Sequence, residues 1–171
     1  ATQSTDAKTH SIDIDSDTKL GTIRTIDLSA DTNASTTGNV DLTGVGQAVK
    51  VVGAKTNTLI GGSVVDTLTG GAGVDKITGA AGADVLDGGD GNDIFIYAAS
   101  SDFVTGTAVV DTVTGGDGTA DTIQIAGAIS IASTQSMARV GTVEKLAVAT
   151  QSSAAKTHSI DIDGDTQLSS I

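Results

Sequence analysis

Residues 61–96 consist of four nine-residue units that follow one another with no insertion or deletion. Every unit has an aspartate at its sixth position and a large apolar residue at its eighth. A period of nine is too long for a helical turn and too regular for a linker, and it is typical of a coiling β-structure in which each unit supplies one turn and one short strand. The units are GGSVVDTLT, GGAGVDKIT, GAAGADVLD and GGDGNDIFI, with aspartates Asp66, Asp75, Asp84 and Asp93 and apolar residues Leu68, Ile77, Leu86 and Phe95.

Two units are expected to complete one coil, so that each unit stacks on the unit two places further along. The glycine-rich half of a unit permits positive φ, which lets carbonyl oxygens and the carboxylate turn toward one point, and the other half forms a strand whose apolar side chain points inward. Asp66 then lies over Asp84, and Asp75 over Asp93. Carboxylates stacked at strand spacing repel each other unless a cation lies between them. Calcium suits such sites because it accepts about six to eight oxygens at flexible geometry.

These units resemble the repeats of the repeats-in-toxin (RTX) family, whose calcium-binding pattern is GGxGxDxUx, where U is a large apolar residue. The resemblance implies an all-β fold, a right-handed parallel β-solenoid known as a calcium-binding β-roll. The second and fourth units, which contain Asp75 and Asp93, fit the pattern fully. Val64 and Ala80 replace glycines in the first and third units, whose aspartates therefore rank lower as ligands. Glycine and aspartate also form ordinary turns, but turn formation alone does not require aspartate at one fixed position of every unit.

Further oxygen-bearing residues lie close to the four units. Residues 53–60 resemble a degenerate unit, in which an asparagine stands at the aspartate position. Residues 115–125, GGDGTADTIQI, resemble the motif with one residue inserted, and they are either one more calcium loop or a plain β-turn. The fourth unit also contains an additional aspartate and an asparagine. The predicted ligands beyond the four repeat aspartates are Asn57, Asp90, Asn92, Asp117 and Asp121.

A second acidic pattern, D-x-D-x-D, occurs near each end of the chain. It resembles the start of an EF-hand loop, but Thr18 stands where that loop requires glycine and Arg24 where it requires glutamate, so the EF-hand is excluded. Outward-facing aspartates on a strand explain most of the pattern. Whether these carboxylates bind calcium stays open for Asp13, Asp15 and Asp17 and for their copies Asp161, Asp163 and Asp165.

The chain also contains a much longer repeat. Residues 1–23 and 149–171 align without a gap at an offset of 148 and are identical at 17 of 23 positions. We interpret residues 1–148 as one complete module and residues 149–171 as the start of the next copy in a tandem array.

Within the module we predict three regions. Short apolar-Asp-apolar strands recur every 14 residues before the nonapeptides, which indicates further coils. Two of the three aromatic residues lie directly after the nonapeptides, in a segment predicted to leave the solenoid and pack against it. The predicted regions are β-solenoid coils over residues 1–51, the calcium β-roll over 52–96, and the excursion followed by further short strands over 97–148.

Composition excludes several classes of function. The net charge is −12, which argues against nucleic acid and anionic membranes as partners, and no apolar run is long enough to insert into a membrane. The chain has no cysteine, so that an extracellular form needs a stabiliser other than disulfides. Neither G-x-S-x-G nor H-E-x-x-H occurs and no catalytic group can be assembled, so we expect no enzymatic activity.

These observations favour a structural extracellular protein that self-associates into a homo-oligomeric lattice or filament, such as a bacterial surface layer or sheath. The combination resembles RTX-type surface-layer proteins. The family resemblance implies type I export and a place at the cell surface or in the extracellular matrix. Two alternatives remain: a spacer repeat of a giant RTX adhesin, and the calcium-binding secretion tail of an exported RTX enzyme.

Overall fold

The computed structural model describes the greater part of the chain between residues 24 and 148, together with two short segments outside it. The described residues are 9–13, 24–30, 37–46, 48–53, 55–105, 108–126, 130–131, 138–148 and 159–160. None of the helices in them is long and apolar enough to cross a membrane. The elements are β1 (Thr9–Asp13), β2 (Thr25–Asp27), β3 (Thr37–Asp41), β4 (Lys50–Val52), β5 (Thr56–Ile60), β6 (Thr67–Ala72), β7 (Lys76–Thr78), β8 (Val85–Asp90), β9 (Ile94–Tyr97), α1 (Ser100–Phe103), β10 (Val104–Thr105), β11 (Ala108–Val109), β12 (Thr112–Asp117), β13 (Thr122–Ile125), β14 (Ser130–Ile131), β15 (Val140–Gly141), β16 (Lys145–Val148) and β17 (Ser159–Ile160).

Two parallel sheets form the body of the fold. One has the strand order β1-β3-β5-β7-β9-β13-β16, and the other has the order β15-β12-β8-β6-β4-β2. Through β9 the chain alternates between the sheets, so that each coil contributes one strand to each sheet. The all-β parallel solenoid is therefore confirmed, while its right-handed sense stays a prediction.

The core lies between these two sheets and consists of stacked apolar side chains. Leu68 pairs with Leu86, and Ile77 with Phe95, which is the stacking that a coil of two nonapeptides predicts. All four side chains are at most 1% exposed. Because successive strand residues point to opposite faces, one apolar residue per unit is enough to continue the core.

Coil length changes along the chain while the inward positions remain aligned. Ile12 pairs with Val40, 28 positions away, so the 14-residue spacing of the early strands equals half of the first coil. Val40 pairs with Leu59, and Leu59 with Ile77, so the offset falls to 19 and then to the 18 residues of two nonapeptides. The additional coils predicted before the nonapeptides are present.

The segment after β9 leaves the solenoid and returns to it. It contains α1 and a two-stranded antiparallel hairpin of β10 and β11. Phe103 is fully buried, and its ring centroid lies 5.0 Å from that of Tyr97. The chain then rejoins the stack, since Ile123 of β13 pairs with Phe95 of β9. The predicted excursion is confirmed.

The two departures from the glycine pattern have different consequences. Ala80 takes a positive φ of 68°, as do the glycines at the same second position, Gly71 and Gly89, at 107° and 95°. The third unit therefore keeps its turn at a cost of about 1 kcal/mol for a residue with a Cβ. Val64 stands at the fourth position, where the other three units have glycines with positive φ, and it does not take this conformation. The turn of the first unit consequently differs from the others.

Of the second copy, the structure describes residues 159–160. Their strand, β17, pairs in parallel with β14, Ser159 with Ser130 and Ile160 with Ile131. The boundaries predicted for the module and its three regions stay predictions, because residues 1–8, 132–137 and 149–158 lie outside the described part of the chain.

Candidate metal sites

Two rows of polar side chains run along the solenoid, one for each main sheet, and all of their members except the partly buried Glu144 are buried. Nearly every member stands directly before a strand, and the aspartates among them are at most 1% exposed. We call the row along the six-stranded sheet the short ladder and the row along the seven-stranded sheet the long ladder. The short ladder contains Asp66, Asp84 and Asp111, and the long ladder contains Asn57, Asp75, Asp93, Asp121 and Glu144.

Hydrogen bonds between successive coils hold each ladder together. The backbone N–H of one member donates to a carboxylate oxygen of the member in the next coil, which places Asp66 beside Asp84 and Asp75 beside Asp93. Such charge-assisted bonds fix one oxygen of every carboxylate. The pairs are Asp66 N to Asp84 Oδ1 (2.7 Å) and Asp84 N to Asp111 Oδ1 (2.9 Å) in the short ladder, and Asp75 N to Asp93 Oδ1 (2.8 Å), Asp93 N to Asp121 Oδ1 (2.7 Å) and Asp121 N to Glu144 Oε2 (2.8 Å) in the long ladder.

The second oxygen of four carboxylates has no hydrogen-bond donor. It is buried in each case, and no donor in the described residues reaches it. A buried carboxylate oxygen without a partner is costly, and burial raises the pKa of these groups. The four are Asp75 Oδ2, Asp84 Oδ2, Asp93 Oδ2 and Asp121 Oδ2.

Backbone carbonyl oxygens converge on the same places. A Cβ on Gly88 would overlap both Asp93 Oδ2 and Gly115 O, and a Cβ on Gly70 would overlap both Asp75 Oδ2 and Gly88 O. Glycine at the first position of a unit is therefore required because it leaves room where a carboxylate oxygen meets a carbonyl oxygen from the next coil. Two acceptors that face one point repel each other, and a cation at that point reverses the interaction.

The donor set fits a hard cation. Nowhere in the described ranges do three or more Asp, Glu, His or Cys side chains gather into a metal-binding group, so most ligands must be carbonyl oxygens. Oxygen-only coordination with a large share of backbone carbonyls is the chemistry of Ca²⁺, whereas Mg²⁺ requires a stricter octahedron. The residues present therefore fit calcium, with one or two carboxylates and several glycine carbonyls at each site.

Protein donors satisfy the carboxylates at the ends of the short ladder. Asp66 Oδ2 accepts a hydrogen bond of 2.7 Å from Gly62 N–H, made possible by the different turn of the first unit. Asp111 Oδ2 accepts one of 3.0 Å from the Tyr97 hydroxyl, and burial raises the pKa of both side chains. Among the predicted ligands, Asp66 therefore has less need of a cation than Asp84.

Asn57 occupies the first position of the long ladder and is 1% exposed. Its side-chain NH₂ group donates to Gly70 O at 2.7 Å and to Asp75 Oδ1 at 2.8 Å. The group facing the ladder is thus a donor, which argues against the predicted role of Asn57 as a metal ligand.

The remaining predicted ligands lie outside the ladders. Asp90 and Asp117 are exposed and pair with each other at the ends of β8 and β12. Asn92 is exposed, and its Oδ1 accepts hydrogen bonds of 3.1 Å from the backbone N–H groups of Thr119 and Ala120. Its oxygen therefore supports the loop of the next coil. The ligand roles of these three residues stay predictions.

The inserted residue in 115–125 does not move Asp121 out of register. Thr122, directly after it, pairs with Ile94, directly after Asp93, and Asp121 itself is fully buried. The structure thus brings Asp121, without Asp117, into line with the repeat aspartates.

Sequence reasoning missed two ladder members, Asp111 and Glu144. Both had a local signal, because Asp111-Thr112-Val113 and Glu144-Lys145-Leu146 repeat the acidic-x-apolar order of the nonapeptides. Asp111 also lies two periods of nine after Asp93, whereas Glu144 does not continue the period. In the D-x-D-x-D pattern only Asp13 is described, on the exposed side of β1, and its companions and their copies lie outside the described residues.

Acidity is expected to stabilise the chain when calcium is absent. Burial raises the pKa of Asp75 to about 7 and those of Asp84 and Asp93 to about 6, from 3.8. The folded state therefore holds these protons more tightly than the unfolded state, and the resulting stability is complete below 3.8 and is lost as pH rises through about 6 to 7. In a chelator, the melting temperature should be higher at about pH 5 than at about pH 8.

Thermal unfolding followed by circular dichroism tests this expectation. The double variant Asp75→Asn, Asp93→Asn removes two of the three groups and should show a weaker pH dependence. Equal melting temperatures at the two pH values for the unchanged chain would show that protons do not replace the cation.

Comparison with known families agrees with this chemistry. A family model for the RTX calcium-binding nonapeptide repeat matches residues 60–95 in four copies. Neither the curated proteins nor the solved structures gave a match to the chain. The matched residues include the first glycines, the buried aspartates and the inward apolar residues of all four units. Residues 60–95 are therefore RTX calcium-binding nonapeptide repeats, and Ca²⁺ is the ion that such repeats bind.

Proposed function

We propose that this RTX protein is a structural component of a bacterial extracellular assembly, in which tandem calcium-stabilised modules build a surface layer, sheath or filament. The observation that carries the proposal is the 148-residue repeat, which places the beginning of a second module directly after the first. An array of rigid modules suits a load-bearing or space-filling role better than a role in chemistry.

The strand pairing at the module boundary supports self-association. β17 belongs to the second copy and corresponds to β1 of the first, and it pairs in parallel with β14 of the first module. β1 is the first strand in the order of the seven-stranded sheet, with β3 as its neighbour. By repetition, the β14 strand of a preceding module would occupy the outer edge of β1, so that each module provides the next with a pairing strand.

Calcium supports a location outside the cell. RTX repeat proteins are typically exported by type I machinery, and calcium modules of extracellular proteins have dissociation constants of about 10⁻⁴ to 10⁻³ M. Cytosolic calcium is too scarce to fill such sites. The chain then folds into its rigid form only after export, when calcium enters between the coils.

The burial of the acidic groups favours a structural role over an enzymatic one. Asp75, Asp84 and Asp93 have raised pKa values of the kind found in active sites, yet each is at most 1% exposed. A substrate has no access to groups buried to this degree. Their position is explained by cation binding between coils.

Electron microscopy of the native cells, labelled with an antibody against this chain, tests the proposal. The expected result is label over an ordered lattice, sheath or filament that detaches when calcium is removed. Scattered single fibres that carry a distal head would instead indicate the spacer of an adhesin. A catalytic domain in the same polypeptide would indicate the secretion tail of an enzyme.

A further inference from the structure

Asn57 and Asp75 are neighbours in the long ladder that face similar backbone carbonyls with opposite side-chain chemistry. The next coil presents a glycine carbonyl to each of the two side chains. A Cβ on Gly53 would overlap Gly70 O and would lie only 2.5 Å from Asn57 Nδ2. A Cβ on Gly70 would likewise overlap Gly88 O and Asp75 Oδ2. Asn57 Nδ2 therefore takes, relative to Gly70 O, the place that Asp75 Oδ2 takes relative to Gly88 O.

The hydrogen bonding differs accordingly. Asn57 Nδ2 donates to Gly70 O at 2.7 Å, to Lys55 O and to Asp75 Oδ1 at 2.8 Å, so three acceptors share one amide group. Asp75 Oδ2 has no donor. An amide NH₂ carries two polar hydrogens, and it can hold together the oxygens that a carboxylate would repel.

The orientation of the amide is supported from the other side. Asn57 Oδ1 faces Gly38 of the preceding coil, where a Cβ would overlap it. Aspartates of the ladder likewise turn Oδ1 toward the preceding coil, as Asp93 does toward Asp75 N–H. The remaining group of Asn57, its NH₂, must then face the next coil.

We propose that Asn57 closes the long ladder with a hydrogen-bonding group in place of a calcium ion, and so sets the position at which calcium dependence of the solenoid begins. The corresponding position on the six-stranded sheet is Val49, whose N–H donates to Asp66 Oδ1 at 2.8 Å and which has no carboxylate. Both rows thus change from ion-free to acidic at the same level of the stack. The coils before this level pack without the ion, and the first carboxylate after it in the long ladder, Asp75, requires it.

Calorimetric titration with calcium tests the proposal through stoichiometry. Asn57→Asp replaces the donor by an acceptor, and it is expected to increase the number of ions bound per chain by one and to lower the melting temperature in chelator. Asn39→Asp is the matched control, since Asn39 follows Gly38 in β3 and lies on the opposite, outward face. It adds the same charge and should leave the stoichiometry unchanged.

The mirror variant Asp75→Asn extends the test if Asn57→Asp does not fold. It should bind one ion fewer than the unchanged chain, and chelator should lower its melting temperature by less than it lowers that of the unchanged chain. The proposal would be overturned if Asp75→Asn bound the same number of ions as the unchanged chain, or if a folded Asn57→Asp variant did so. The same experiment measures calcium binding by the unchanged chain. An unchanged chain that bound no calcium would contradict the RTX sites themselves, which is a different result from the two that overturn this proposal.

Discussion

Removing calcium with a chelator at about pH 8 is expected to abolish the β-roll and most of the strand signal of the chain. Four carboxylate oxygens, on Asp75, Asp84, Asp93 and Asp121, are buried without a donor. Each unpaired buried charge costs several kcal/mol, whereas the total stability of a domain is about 5–15 kcal/mol. Far-UV circular dichroism before and after chelation measures the effect.

Readdition of ions gives the control for this experiment. Excess Ca²⁺ should restore the strand signal, and the same concentration of Mg²⁺ should not, because its small octahedral shell fits poorly among carbonyl oxygens fixed by the backbone. Unchanged strand content and melting temperature in chelator would contradict the assignment of these oxygens as calcium ligands.

The substitution Gly88→Ala is expected to have the second largest effect. Its Cβ would overlap Asp93 Oδ2 and Gly115 O, which are a buried carboxylate and a backbone carbonyl and have little room to shift. Overpacking of this kind costs about 1–3 kcal/mol, and the displaced oxygens also lose their geometry for calcium. Denaturant unfolding at saturating calcium, together with calcium titration, measures both losses.

Gly46→Ala is the matched control for that variant. A Cβ on Gly46 meets nothing within 4 Å, so the change should alter stability by less than about 0.5 kcal/mol and leave calcium affinity unchanged. If Gly88→Ala behaved like Gly46→Ala, the close approach of Gly88 to the long ladder would have no role in binding.

The period of nine was sufficient to predict the coil, the inward apolar residues and the stacking of the repeat aspartates. Phe95 follows this rule as closely as Leu68, since the alternation of a strand decides which side chains enter the core. Asp111 keeps the period, since it lies 18 residues after Asp93, but the intervening residues 97–105 contain none of the glycines that mark a unit, and the repeat was therefore not followed to it. The direction of the Asn57 amide was also beyond sequence reasoning, since it depends on which atoms of the neighbouring coils surround it.

The excursion between β9 and β12 has a consequence for engineering. It adds about half a coil of chain, yet Val85 still pairs with Thr112 in one sheet and Ile94 with Thr122 in the other, so both ladders continue in register on its far side. Alignment in this fold is decided locally, by each strand against the one beneath it. The segment between β9 and β12 is therefore a natural place to insert a foreign peptide, since the strands that follow it take their register from the strands beneath them.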